Sequence, residues 1–216
     1  MKKTFLAGIL TILFVSASYA QVKVGVTAGL NASRLENSGD NAAKSDYKAG
    51  FQVGLSTDFG ITNNFSIMPE LLFSQRGGKS NSTERDVNGK PISSSTSLTI
   101  NYLQLPVNAA CKFDVGNGSK LFVFAGPYLG YGLSGKGKSN IKSEGTKVNL
   151  SETVKFGSKE TEMKRIDVGV NAGIVYQYEN VFFKVQYNHG LTDIDNVKKS
   201  STKNSNFSVS AGYYFL

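Results

Sequence analysis

From Ile166 to Leu191 the side chains change character at almost every second residue, and this alternation limits the possible folds more than any other feature of the chain. Ile166, Val168, Val170, Ala172, Ile174, Tyr176 and Tyr178 share one parity, while Asp167, Gly169, Asn171, Gly173, Gln177 and Glu179 share the other. A period of two is that of a β-strand, whose successive side chains point to opposite faces. Glu179-Asn180 suits a tight turn. Beyond it Val181, Phe183, Val185 and Tyr187 alternate with Lys184, Gln186 and Asn188. The segment predicts a hairpin of two strands of about 9–11 residues each, the length with which a tilted strand crosses a bilayer.

The rest of the chain repeats the pattern. Strands are predicted at Val22–Ser33, Phe51–Phe59, Phe65–Gly78, Leu98–Phe113 and Leu121–Leu133, with the last one carrying Phe207, Val209, Ala211, Tyr213 and Phe215. In Leu98–Phe113 the apolar parity slips between Tyr102 and Leu103, which predicts a bulge there. Pro69, Pro106 and Pro127 fall within strands; a closed barrel has no edge to host them, so bulges are expected at these positions too. The connections alternate. Leu35–Tyr47, Gly78–Ser97, Ser134–Arg165 and Thr192–Ser205 are long and polar, whereas Gly60–Asn64, Asp114–Lys120 and Glu179-Asn180 are short. Within the longest, Val148-Asn149-Leu150 and Val154-Lys155-Phe156 read as extended, predicting strands that project beyond the barrel. Short turns on one side and long loops on the other characterise outer-membrane barrels.

Met1–Ala20 reads as a cleaved secretory signal, with Lys2 and Lys3 before the apolar stretch Phe5–Val15 and the small-residue site Ser18-Tyr19-Ala20. The expected organisation is a leader over 1–20 and a single barrel over 21–216. The leader's apolar run is shorter than the roughly 20 residues a helical span needs, and no later run approaches that length. Any membrane crossing must therefore use a closed barrel. Cys111 is the only cysteine, so no intrachain disulfide forms. With 24 Lys and Arg against 16 Asp and Glu the formal charge is +8. No clustered basic and aromatic groove accompanies it, and export argues further against nucleic acid.

Alternation alone does not separate a lipid-facing barrel from a soluble one of the lipocalin type. The polar parity decides. It consists of Gly, Ser, Asn and Gln with scattered charges, whereas a water-exposed surface is about a quarter to a third charged. Such a face suits the lumen of a narrow barrel, which about eight strands leave just wide enough for side chains to fill. Gly25, Gly29, Gly54, Gly169, Gly173 and Gly212 relieve crowding there. Phe59, Phe65, Tyr176, Tyr178, Tyr187, Tyr213 and Phe215 lie near strand ends, where aromatic girdles form at lipid interfaces. The predicted fold is a closed, up-and-down antiparallel transmembrane β-barrel of about eight strands, all-β, with short periplasmic turns and long extracellular loops.

Five segments carry a family resemblance: GLNAS at 29–33, PELLFSQRGG at 69–78, YLQLPV at 102–107, VFAGPYLGYGL at 123–133 and YNHGLTDI at 187–194. Together, and in this order, they resemble the outer-membrane β-barrel domain proteins of Bacteroidetes, often labelled PorT-like or porin family. The resemblance covers essentially the whole chain after the leader. It implies an outer-membrane barrel inserted by the barrel-assembly machinery; the partners expected of a barrel so placed are outer-membrane lipids and lipopolysaccharide. It implies no transport activity.

Glu70, Arg76, Lys112, Asp167 and Lys184 share the lumen parity, as an ion path or a catalytic pair would require. The simpler reading is that opposite charges pair there because an unpaired buried charge is costly. His189 is the only histidine, and Asp193, Asp195 and Asn196 supply only half of a calcium loop. No phosphate loop, zincin helix or nucleophile elbow is present. No metal, cofactor or enzymatic activity is expected. Lys136, Lys138, Lys142, Lys147, Lys155 and Lys159 give the longest loop a basic excess, suited to anionic lipopolysaccharide or an acidic extracellular partner, or simply to solvation. Three functions follow in order: a plugged monomeric barrel that is structural or binds through its loops, a narrow channel for ions or small solutes, and a barrel-embedded hydrolase.

Overall fold

The computed structural model describes residues 21–38, 45–85, 90–143, 146–159, 162–196 and 201–215, so the leader assignment at 1–20 lies outside the described residues. Nine strands follow one another: β1 (Gln21–Ser38), β2 (Lys48–Thr62), β3 (Phe65–Arg85), β4 (Pro91–Gly116), β5 (Ser119–Ser143), β6 (Thr146–Thr153), β7 (Ile166–Tyr178), β8 (Val181–Gly190) and β9 (Ser201–Tyr214). Eight of them form a closed antiparallel ring in the order β1-β2-β3-β4-β5-β7-β8-β9. The seam runs from Gly25 opposite Tyr214 to Ser38 opposite Ser201. β6 stands outside the ring and pairs with the upper part of β5, from Lys136 opposite Thr153 to Ser143 opposite Thr146.

The lower end carries the turns Asn63-Asn64, Asn117-Gly118 and Glu179-Asn180. Asn117 and Gly118 have φ of 52° and 76°, the two left-handed positions that let a two-residue turn match the twist of its strands. At the upper end the strands continue far beyond the predicted limits. Residues 78–97, expected as a loop, are mostly the extended arms of β3 and β4, paired as far as Arg85 opposite Pro91. Residues 134–143 likewise prolong β5. A four-stranded sheet, β3-β4-β5-β6, thus projects from one side of the ring. The arms of β3, β4 and β5 are rich in Ser, Thr, Asn and Lys, without the apolar parity that marked the spanning segments, and this is why they read as loop; β6 contains Val148-Asn149-Leu150 and is the projecting strand expected there.

The distribution of side chains is inverted relative to a soluble protein. Val26, Leu30, Val53, Leu55, Leu103, Leu105, Val123, Leu129, Ile174 and Val209 are exposed on the outer wall. Gln52, Ser56, Glu70, Ser74, Gln104, Asn108, Gln177, Lys184, Gln186 and Ser210 are buried inside. Lipid is the solvent that makes this arrangement favourable. Cys111 lies on the exposed face, opposite Phe65 on β3 and Val123 on β5.

Two expectations about bulges require correction. The parity slip at Tyr102 is not an extra residue in β4, whose register with β3 is unbroken there. The shift lies between Asn101 and Tyr102 on the β5 side, where Asn101 faces Ser134 and Tyr102 faces Gly132, leaving Leu133 as the inserted residue. The apolar residues of β4 change sides: Leu105 and Val107 face lipid, while Ile100 and Tyr102 enter an apolar plug inside the mouth. The prolines also sit without register shifts. Each instead coincides with a gap in one ladder: at Pro69 on the β2 side, at Pro106 on the β3 side and at Pro127 on the β4 side. Proline lacks a donor toward one neighbour only, so a local gap suffices; at Pro69 the Thr57 hydroxyl donates to the free carbonyl at 2.7 Å.

Val170 is 46% exposed on the outer wall and its neighbour Asn171 is 3% exposed in the lumen. Replacing Val170 with Arg is expected to impair assembly by about 2–4 kcal/mol, the effect of a cation at mid-bilayer, while Asn171→Arg should be milder. Heat-dependent gel mobility and urea unfolding in lipid vesicles compare the two, and an equal or reversed order would show the faces to be misassigned.

Candidate functional site: the filled lumen and the projecting sheet

Side chains fill the lumen near the tight turns, along a charged belt above them, and at the mouth. Nearest the tight turns, Met68, Ala110, Phe122, Phe124, Val175, Phe182 and Tyr214 form an apolar cluster. Its rings fit because glycines face them: a Cβ on Gly173 would strike the ring of Phe124, and one on Gly212 the ring of Phe182. Lys112 binds Asp58 at 3.1 Å beside this cluster and lies over the Phe122 ring at 5.6 Å.

Above it comes a belt of charge. Lys184 Nζ donates to both oxygens of Glu70, at 2.6 and 2.5 Å, and the Ser56 hydroxyl donates to Glu70 Oε1 at 2.8 Å. Gln52 donates to Ser210 at 2.8 Å. Arg76 donates to Gln104 at 2.5 Å and to Ser74 at 3.3 Å, and its guanidinium lies 5.2 Å from the Tyr128 ring centre. The Tyr128 hydroxyl in turn donates to Asp167 at 3.3 Å, and Asn204 donates to Asp167 at 2.8 Å and to the Tyr102 hydroxyl at 3.1 Å. Among the described residues no ion pair joins Arg76 to Asp167; Tyr128 stands between them. Such a network leaves little unmatched charge in a medium of low dielectric.

The mouth is closed by a cap. Ile100, Tyr102 and Ile194 form a buried cluster against which Leu35, Leu98, Phe156 and Met163 pack. Two chain segments supply it. Val154–Phe156, expected as a projecting strand, turns inward instead, with Val154 seated on Gly135 and Phe156 on Gly132. Met163 bridges Phe156 on one side and Asp195 on the other. Lys164 donates its backbone N–H to Ile194 O at 2.9 Å, and Asn196 holds the carbonyls of Gly157 and Glu162, both at 2.9 Å. Asp195 accepts a hydrogen bond from Thr202 and Asp193 one from Ser201, so the half calcium loop is engaged in holding the cap.

Comparison with known families supplies the identity. The model of the outer membrane protein beta-barrel domain matches residues 16–196. This chain belongs to that family. Outer membrane location follows from membership, and no curated protein is significantly similar to the barrel. Among solved structures it is similar to Ail, the attachment invasion locus protein of Yersinia pestis, at 15% identity over 89% of this chain and 98% of that one, with a TM-score of 0.39. It is similar to Neisserial surface protein A at 16% identity over 89% and 97%, with a TM-score of 0.43. A third is the outer membrane protein OprG of Pseudomonas aeruginosa, at 10% identity over 90% and 94%, with a TM-score of 0.34.

Within this outer-membrane barrel the five lumen charges occupy three places. Glu70 and Lys184 are together, Lys112 is paired below with Asp58, and Arg76 and Asp167 bracket Tyr128 above. The six lysines of the longest loop also divide. Lys136, Lys138 and Lys142 lie on β5 and Lys147 on β6, whereas Lys155 and Lys159 belong to the cap. The residues that sequence reasoning missed are the lumenal aromatics Tyr102, Tyr128, Phe122, Phe124, Phe182 and Tyr214. For three of them the signal is present in the paired strands: Gly169 stands across from Tyr128, Gly173 from Phe124 and Gly212 from Phe182.

Removing Lys184 alone would strand Glu70, 3% exposed, without its cation. Lys184→Ala is expected to cost about 3–5 kcal/mol of barrel stability, and the joint variant Glu70→Gln, Lys184→Met to recover most of it. Urea unfolding in vesicles measures both; a single variant as stable as wild type would show that the pair contributes nothing.

Proposed function

We propose that this barrel is a non-conducting, monomeric scaffold of the outer membrane that presents a binding surface above the cell, and that its lumen is structural. The observation that carries this reading is the filling at both ends of the lumen, by the apolar cluster and the Glu70–Lys184 belt below and by the cap centred on Ile194 above. A barrel of about eight strands has no room left once its inward side chains are in place, whereas aqueous porins use about 16–18 strands. Rigid scaffolds commonly carry binding on their outer connections, and here those connections are built into an ordered sheet. The segments quoted above support a place in the PorT-like branch of Bacteroidetes, with export on the 1–20 leader and insertion by the barrel-assembly machinery. The reading includes no enzymatic step, because the lumen charges are engaged with one another. The partners it assigns are outer-membrane lipids and lipopolysaccharide, with an acidic extracellular protein as the competing choice.

A narrow channel has one observation in its favour. Asn108, Asn171, Asn206 and Ser208 carry buried polar atoms with no protein hydrogen-bond partner, so the middle of the lumen is suited to bound water. Seals lie above and below it. In planar bilayers the wild-type protein is therefore expected to pass no steady current, and a form lacking 137–152 should be equally silent because that sheet takes no part in the seal. Steady, ion-selective conductance in the wild type would replace the scaffold reading with the channel.

A further inference from the structure

The projecting sheet has two unlike faces, and the register assigns each residue to one of them, since residues directly opposed in antiparallel strands point the same way. Lys79, Ser97, Lys138 and Ser151 form one cross-strand row; Thr99, Lys136 and Thr153 form the row beneath; Ser93, Lys142 and Lys147 form a row above. These rows share a face with Asn81, Ser95, Asn140 and Asn149. Among the described residues of the four strands, no Asp or Glu lies on it. Asp46, bridged to Lys79 and hydrogen-bonded by Asn81, sits at its margin. Glu152 belongs to the opposite face, together with Ile141, Val148 and Leu150.

The cationic face is the upward continuation of the lipid-facing wall. On β4, Leu105 and Leu103 face lipid, and the same parity continues through Asn101 and Thr99 to Ser97, Ser95 and Ser93 without a shift against β3. On β5 the lipid-facing positions are odd, at Val123, Leu129 and Tyr131, whereas the lysines are even. The inserted Leu133 reverses the parity, so that Lys136, Lys138 and Lys142 point outward over the membrane rather than inward over the mouth. Height follows from strand geometry. Lys136 lies two residues, or about 7 Å along the strand, above the polar row Gln75, Asn101 and Ser134 that ends the apolar wall, and Lys142 lies about 20 Å farther on.

We infer that this outer face of the sheet, through Lys79, Lys136, Lys138, Lys142 and Lys147, binds the phosphorylated sugar headgroup of the glycolipid in the barrel's own outer leaflet. The inference rests on the scaffold reading and names the partner of its projecting surface. The lower lysines stand at the depth of headgroup phosphates and the upper ones at that of the sugars beyond, with Ser, Thr and Asn between them as hydrogen-bonding partners for phosphate and hydroxyl. A soluble acidic protein would meet cations at the tip of the sheet or above the mouth. These point sideways, over lipid.

The test uses the full mature barrel, refolded in detergent, with bisphosphorylated lipid A as probe. Binding is read as lipid retained through gel filtration and as the rise in unfolding temperature with lipid concentration. The variant Lys136→Ser, Lys138→Ser, Lys142→Ser, Lys147→Ser is compared with Lys155→Ser, Lys159→Ser, which removes cap lysines of the same chemistry. Wild type and the cap variant are expected to bind alike and less tightly at high salt, while the sheet variant loses at least tenfold in affinity and dephosphorylated lipid A binds no form well. Equal binding by wild type and sheet variant, or equal binding of the dephosphorylated lipid, overturns the inference. So does a sheet variant that loses binding to soluble polyglutamate but keeps lipid A. Heat-dependent gel mobility and bilayer conductance are recorded on every form, so that failure of the sealed-scaffold reading is seen separately from failure to bind lipid.

Discussion

Closure of the sheet is the constraint on which the rest of the molecule depends. In hydrocarbon an unpaired N–H or C=O has no water to turn to, so the β1–β9 seam must complete the ring of hydrogen bonds. Once an eight-stranded ring is closed its interior diameter is set, and the inward side chains have to fit the space it leaves. That requirement reaches down to single atoms. Phe124, Phe182 and Tyr128 can enter the lumen because Gly173, Gly212 and Gly169 present bare backbone to them. The same closure tolerates proline only as a local omission. Pro69, Pro106 and Pro127 each interrupt one ladder while the register on their other side holds.

A lumen of this width also dictates how charge can be kept in it. Glu70 and Lys184 are both almost fully buried, and each would be untenable alone. Arg76 and Asp167 show a second solution. Their charges are separated by a ring that offers its π-face to the cation and its hydroxyl to the carboxylate, with Gln104 and Asn204 completing the hydrogen bonds. Such groups cross-brace strands that are not neighbours in the ring, β3 to β8 through Glu70 and Lys184 and β4 to β9 through Tyr102 and Asn204, and so add rigidity to the wall that carries the projection. On the scaffold reading proposed above, this bracing would link the lumen to the projecting surface, because a scaffold positions a surface well only if it does not flex beneath it.

The barrel was legible in the sequence because lipid enforces parity. Ile166–Tyr178 and Val181–Gly190 could be read almost residue by residue, since an outward asparagine would be penalised at each step; the inward Val175 and Phe182, which fill the lower apolar cluster, are the positions that parity alone does not account for. Where lipid is absent the code lapses. The arms at 79–85, 91–97 and 136–143 are strands held by backbone pairing in water, with Ser, Thr and Lys on them, and nothing in that composition separates them from loop. Leu98, Ile100 and Tyr102 misled for the opposite reason: they are apolar because they face a plug inside the mouth, so the pattern changed sides while the strand did not. The membership of the lumen was visible in parity, but who meets whom was not. Glu70 and Lys184 are 114 residues apart, and their meeting depends on the stagger between strands, which no local pattern encodes.

The projection raises a question of its own, because an open sheet above a closed barrel reintroduces the edge that closure had removed. β6 pairs only with β5 among the described strands, and all eight of its residues are exposed. An exposed edge invites pairing with other chains unless something discourages it. Lys147 and Glu152 place a charge near each end, and Asn149 and Ser151 supply no apolar stripe on the outer side. Val148 and Leu150 do form such a stripe, but on the inner side, which is turned over the barrel's own mouth. The apolar residues that would reward association are thus directed away from the surrounding membrane, and the cations that oppose it are directed toward it. The inserted Leu133 is the hinge of this arrangement: one residue fewer in β5 would exchange the two faces, leaving the spanning part of the barrel unchanged and aiming the lysines of β5 over the cap.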